Sequence, residues 1–225
     1  MTTTAPSASG TAPHPAPRRA DPGTTARAAV LAVALLVVVG VALALPVWPA
    51  GEDMGSTHYM GLLADNQPWN LLLFMAVPVV LAETLAVTEL AVLFRPAVPR
   101  AVAALNRYAG LVAGVYFVGV VVYLLRHAVV PLTVGGGWRG WVDVVAVGAY
   151  LLGVVPLLGI TLLESRVVGA GWDGRRRLAV HATLVGVFLV VAHVAMIAGM
   201  VDPAVAGWEP THLMDDGATM PGMTH

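Results

Sequence analysis

Residues Ala28 to Trp48 read AAVLAVALLVVVGVALALPVW, with Arg27 before them and no charge inside. A run of roughly 20 apolar residues is long enough, at a helical rise of about 1.5 Å per residue, to cross a hydrocarbon core of about 30 Å. The stretch is therefore expected to be a membrane span. A cleaved signal peptide is the competing reading, because a basic region precedes the run and Ala42 and Ala44 stand in an A-x-A arrangement. The run exceeds the usual signal-peptide core of about 7–15 residues, which favours a retained anchor. Upstream, residues 1–26 are rich in Ala, Thr, Ser and Pro, with His14, Arg18 and Arg19. Such a segment cannot bury enough apolar surface to offset the entropy of ordering, so a disordered cytoplasmic leader is expected.

Downstream the pattern recurs. Further apolar spans are read at about 69–94, 108–130, 141–163 and 178–201, after a first span at about 28–48. Pro78 and Pro156 are expected to kink the spans that contain them, since the ring removes a helical hydrogen bond. Composition agrees: 58% of the chain is hydrophobic and 11% charged, against about 45–50% and about 25% in soluble domains. The expected fold is all-α, a polytopic membrane helical bundle of about five transmembrane helices spanning residues 27–203, with 204–225 as a tail. A net charge of −1 offers no basic field for nucleic acid. With no cysteine, disulfides, thiolate zinc sites and thiol catalysis are excluded.

Arginine bias predicts the orientation, because cationic loops are retained in the cytoplasm. The leader and the loops between spans two and three and between spans four and five hold ten of the twelve cationic residues; Arg126 and Arg139 lie on the other side. The N-terminus is thus expected inside and the C-terminus outside a bacterial inner membrane. Trp48, Trp69, Trp138, Trp141 and Trp208 then fall at the outer boundary, as an interfacial aromatic belt would.

This topology segregates the soft ligands. Apart from Met1, every methionine (Met54, Met60, Met75, Met196, Met200, Met214, Met220, Met223) lies in the outer loop, the tail or the outer halves of spans two and five. His58, His127, His193, His212 and His225 share that side. Thr211 to His225 read THLMDDGATMPGMTH, too polar and too Gly/Pro-broken to build a core. Thioether and imidazole select soft Cu(I) and borderline Cu(II), so His212, Met214, Met220, Met223 and His225 point to copper, or silver. On span five, His193, Met196 and Met200 have i, i+3, i+7 spacing and share a face, expected to point into the bundle or a hydrated cavity and to form a second metal site with His127, His58 and Met60. The bland alternative is that methionine fills gaps in the core.

The tail also resembles the Met/His repeats of bacterial copper-resistance proteins, in which MPGM and MDH-type units recur. Met220 to Met223 supply one MPGM, and Asp216 stands where a His is common. The resemblance implies a copper-ligand type, and it covers the tail alone.

Glu83 lies about 20 Å below Trp69, past mid-bilayer, where an ionisable group marks an ion path, a proton relay or a paired structural contact. Thr84 and Thr88 share a face and are expected to bond it or a permeant ion. Arg126 and Asp143 are expected to form an ion pair, and Glu89 and Glu164 to pair with nearby arginines. A b-type haem between His127 and His193 is an alternative cofactor; His181 has no intramembrane histidine partner, which argues against a second haem. The leading expectation is a copper-handling membrane protein that binds, delivers or senses the metal, with a periplasmic or extracellular metallochaperone or a membrane oxidase as partner. Copper transport is the stronger version. A haem electron-transfer subunit and a small-solute permease are the rivals; no nucleophile and base stand at a spacing that suggests hydrolysis.

Overall fold

A computed structural model describes residues 22–46, 56–95 and 97–209, together with the backbone of 212–213 and 219–220. In chain order the helices are α1 (Pro22–Ala44), α2 (His58–Ala64), α3 (Trp69–Phe94), α4 (Arg100–Gly135), α5 (Trp141–Glu164) and α6 (Gly174–Gly199). All but α2 are long and apolar enough to cross a membrane, so the chain is a multi-pass helical bundle. A two-residue antiparallel ladder sets His212 opposite Met220 and Leu213 opposite Thr219. The leader through residue 21, Trp48, Met54, Met214, Met223 and His225 lie outside the described residues, as do the side chains of His212 and Met220.

Three boundaries differ from the sequence reading. α4 begins at Arg100 rather than near Tyr108 and runs on to Gly135, because its polar first turns extend beyond the apolar window that hydropathy detects. α1 begins at Pro22, inside the stretch read as leader. The polar loop before the second span contains α2, whose N-cap Thr57 accepts from the Met60 N–H and donates its hydroxyl to the Gly199 carbonyl at 2.6 Å. That second bond ties α2 to the end of α6.

The bundle is arranged around α4, which packs against α1, α3 and α5, while α6 packs against α5 and closes the ring on α3 through a looser seam. Close approach of α4 and α5 depends on Gly110 and Gly114. A Cβ on Gly114 would overlap the Thr161 hydroxyl and the Leu157 carbonyl, and one on Gly110 would meet Ile160 at 2.8 Å. The Thr161 hydroxyl uses the proximity to donate to the Gly110 carbonyl at 2.7 Å. This small-xxx-small contact replaces the hydrophobic drive that lipid removes between membrane helices. α1 lies outside on α4, with only Leu31 and Ala42 buried.

The disturbances expected at Pro78 and Pro156 are present, and a third, not expected from the sequence, stands ahead of Pro131. Leu72–Ala76 widens into a π-turn just ahead of Pro78, and Leu125–Val129 does the same ahead of Pro131. A proline cannot donate to the carbonyl four residues back, so a carbonyl is released in an apolar interior. The structure supplies donors: the Tyr150 hydroxyl bonds the Phe74 carbonyl at 2.6 Å and the Tyr116 hydroxyl bonds the Leu73 carbonyl at 2.7 Å. α5 breaks at Gly153, between Leu152 and Val154, three residues before Pro156.

Two ends of the bundle are distinguished below. At the tail end lie α2, the starts of α3 and α5 and the finish of α6. At the arginine end lie the α3–α4 and α5–α6 connections, with Arg95, Arg100, Arg166 and Arg175 to Arg177.

Candidate metal centre

The first turn of α2 and the first turn of α5 meet through one carboxylate. Asp143 is fully buried and accepts three hydrogen bonds, from the His58 N–H (2.7 Å), the His58 ring at Nδ1 (2.6 Å) and the Arg139 N–H (3.2 Å). An ionised carboxylate accepts only, so the ring must carry a proton on Nδ1, and in its neutral form it presents the lone pair at Nε2. No hydrogen bond to Nε2 is found among the described residues, and the ring remains a quarter exposed, with Trp138 edge-on at 6.3 Å. A carboxylate fixing the tautomer and orientation of a histidine in this way is the usual support of a metal-ligating imidazole.

The tail is rooted at the same place. Asp202 caps the short turn Pro203–Ala206, and the Arg139 guanidinium lies 5.0 Å over the Trp208 ring while donating to the Ser56 carbonyl. The chain thus departs for residues 210–225 beside the residues that hold His58 in place. The expected ion pair between Arg126 and Asp143 does not form. Arg126 instead donates to the Leu43 carbonyl, one of the unpaired groups at the end of α1, and Asp143 is saturated by α2 and Arg139.

Four methionines line the loose seam between α3 and α6. A cleft of about 670 Å³ at the tail end is lined by Met60, Met75, Met196 and Met200. Deeper in the seam lies a second, largely apolar cavity of about 290 Å³, which shares Tyr59, Met75 and Met196 with the first and reaches His193 and Glu83. Tyr59 sits between the two, and burial pushes its phenol pKa above the usual value.

His193, Met196 and Met200 therefore keep company as expected, but not inside the helix packing. Met200 is 64% exposed, and the inward face of α6 is His181, Val185, Phe188, Ala195 and Gly199. Its last two positions, Ala195 and Gly199, are small where α2 and α5 pack against α6; a Cβ on Gly199 would enter the Tyr59 ring. His193 resembles His58 in one respect. Its Nδ1 lies 2.6 Å from the Leu189 carbonyl, an obligate acceptor, so Nδ1 bears a proton and the neutral ring has its lone pair on Nε2.

His127 is not brought to this site. It lies 4.6 Å from Tyr123, on the side of α4 that faces Phe74 and the end of α1, and its Nε2 is buried with no partner among the described residues. His127 lines neither of the two cavities described above, whereas His193 lines the deeper one. Thr84 and Thr88 do not serve Glu83 either: their hydroxyls bond the Val80 and Thr84 carbonyls of their own helix, as such residues do when apolar surroundings offer no other acceptor. Among the described residues no three His, Cys, Asp or Glu side chains converge on a point that could hold a metal. A metal held here would rely on thioethers.

At the arginine end, sequence reasoning placed Glu89 and Glu164 with arginines. Glu164 does pair with Arg177 at 3.2 Å, but Glu89 is buried against His181 (2.8 Å) and accepts from the Asn106 amide (2.9 Å). One available signal was that Glu89 and His181 are the charged or titratable side chains at matching depth on α3 and α6 once these helices are aligned antiparallel.

A family of unknown function, DUF6803, matches residues 54–215, which is most of the chain and takes in α2, the four spans after it and the root of the tail. No curated protein and no solved structure matches.

Proposed function

The chain belongs to that family of unknown function, and from this premise we propose that it handles copper on the outer face of a bacterial plasma membrane, binding Cu(I) and passing it to a partner. The observation that carries the reading is the cleft lined by Met60, Met75, Met196 and Met200. Thioether donors without hard oxygen clusters suit Cu(I) or Ag(I) and no common divalent cation. Two imidazoles have their Nδ1 protons already committed: His193, which lines the deeper cavity, and His58, which precedes Tyr59 and Met60 of the seam lining on α2. The tail, rooted beside His58, supplies His212, Met214, Met220, Met223 and His225 as a first capture point. The arginine bias of the opposite end supports the outward placing of this face.

Delivery is preferred to translocation. The ligand-bearing seam ends at Glu83, and the buried groups nearer the arginine end are carboxylates, an amide and one imidazole rather than a thioether ladder. A metallochaperone or membrane oxidase at the outer face would be the recipient.

The test is metal analysis of detergent-purified protein loaded with Cu(I) under reductant. Three forms are compared: the intact chain, a chain lacking Thr211 to His225, and a variant with Met60, Met75, Met196 and Met200 all replaced by Leu. Leucine conserves volume, at a cost usually below about 1.5 kcal/mol per site, so the fold is expected to survive. Copper per chain should fall in both variants, and the tail-deleted protein should retain the cleft-bound fraction. Neither copper nor silver above background in the intact chain would overturn the proposal.

A further inference from the structure

The arginine end holds a second polar centre that the copper reading does not use. Glu89 on α3, Asn106 on α4, Glu164 at the end of α5 and His181 on α6 meet inside the bundle, and each comes from a different helix. Glu89 and His181 are each 3% exposed. Between them the His181 ring is suspended with one nitrogen toward each acid: Nδ1 lies 2.8 Å from Glu89 Oε2 and Nε2 lies 3.7 Å from Glu164 Oε1. The shorter contact is within hydrogen-bonding distance but out of line with the ring N–H, so neither ring nitrogen has a satisfied bond. Gly110 makes room for this arrangement, since a Cβ there would meet the Glu164 side chain at 3.2 Å.

The cluster is short of hydrogens. Glu89 Oε1 and Asn106 Oδ1 are buried acceptors with no donor among the described residues. The groups facing the ring are Glu89 from α3, the neutral Asn106 from α4 and Glu164 from α5, while Arg177, a turn away on α6, is held by Glu164 at 3.2 Å. With Arg177 balancing Glu164, Glu89 and His181 carry one uncompensated negative charge unless a proton joins them. An uncompensated carboxylate is costly in such surroundings. The two ring nitrogens face opposite acids instead of one point, so the set does not make a metal cage.

We propose that Glu89, His181 and Glu164 form a buried proton-exchange site, loaded and unloaded from the arginine end through Glu164. In the unloaded form His181 carries its proton on Nδ1 and both acids are ionised. A proton arriving from water binds the Glu164 carboxylate and moves to His181 Nε2, and the Nδ1 proton passes to Glu89. The loaded form then has a neutral Glu89 carboxyl, an Nε2–H imidazole facing the Glu164 carboxylate, and one more proton than before. Unloading reverses the same bonds. The inference stands on residues separate from the metal-binding seam, and a failure of either leaves the other intact.

Infrared difference spectroscopy of the full-length protein in lipid nanodiscs, recorded across about pH 5 to 9, reads the loaded state directly. The wild type should show a protonated-carboxyl C=O band and an imidazole band that titrate with one midpoint. Glu89→Gln should remove the carboxyl band, and Glu164→Gln, at the half-buried end, should keep that band and move its midpoint. If Glu89→Gln fails to fold, nitrogen-15 NMR of labelled histidine in the wild type serves instead, with His181 passing from an Nδ1–H to an Nε2–H form at the midpoint of the carboxyl band. No titrating carboxyl band in the wild type would overturn the proposal. So would a band that persists in folded Glu89→Gln, or a midpoint that Glu164→Gln leaves in place.

Discussion

Replacing Asp143 by Asn tests whether the α2–α5 contact prepares His58 for a metal. The native carboxylate offers only acceptors to the His58 N–H, the His58 ring and the Arg139 N–H. In Asp143→Asn one oxygen is retained and best keeps the 2.7 Å bond to the His58 N–H, which places the new NH₂ against the ring and the Arg139 N–H. That NH₂ can meet the ring only by donating to Nδ1, so the imidazole proton moves to Nε2 and occupies the lone pair a metal needs. Binding then requires the tautomer to be restored against a facing donor. Loss of such a supporting carboxylate costs about tenfold to a hundredfold in metal affinity, or about 1.4–2.7 kcal/mol. The Arg139 N–H also loses its acceptor, at about 1–3 kcal/mol of stability. The assay is competition for Cu(I) against a chelator of known affinity, run on protein lacking Thr211 to His225 so that the tail does not mask the change. His58→Ala should weaken binding at least as much. If His58→Ala weakens binding and Asp143→Asn leaves it within about twofold, the tautomer argument is refuted.

Three further outcomes are expected. Gly114→Val sets a side chain against the Leu157 backbone, which cannot move aside, and should cost about 1–3 kcal/mol, seen as a lower melting temperature in micelles. Gly148→Ala is the control: nothing lies within 4 Å of its Cβ position, and the change should be neutral or stabilise by up to about 1 kcal/mol. Tyr150→Phe leaves the Phe74 carbonyl without its donor in a buried site and should destabilise by about 1–3 kcal/mol; Tyr116→Phe, less buried, should cost less, and the reverse order would count against the account of the Pro78 π-turn.

Much of the bundle was legible before the structure. Four of the five spans fell within a few residues of their helices at one or both ends, and the disturbances at Pro78 and Pro156 followed from ring chemistry alone. The pair Gly110 and Gly114 is equally legible as a small-xxx-small motif. Other features are not legible, for a common reason. α2 is only seven residues long and is fixed by bonds from Thr57 to Gly199 and from His58 to Asp143, so its own sequence carries little signal. Arg126 and Asp143 match in depth but do not pair, because the rotation of α4 directs Arg126 to the Leu43 carbonyl of α1.

By itself the sequence determined that the chain is a multi-pass helical bundle, where two of its proline disturbances lie and which of its segments carry the methionines. Those properties are set by local hydropathy, ring covalency and position along the chain. Only the tertiary structure decided that Asp143 holds His58, that α6 turns Ala195 and Gly199 inward and leaves His193, Met196 and Met200 on the seam, and that Glu89 meets His181. Each of those depends on the rotation of one helix about its axis against a neighbour. Apolar faces all round a membrane helix leave that rotation unmarked in the sequence, and it is set by where small residues permit close approach and where buried polar groups find partners.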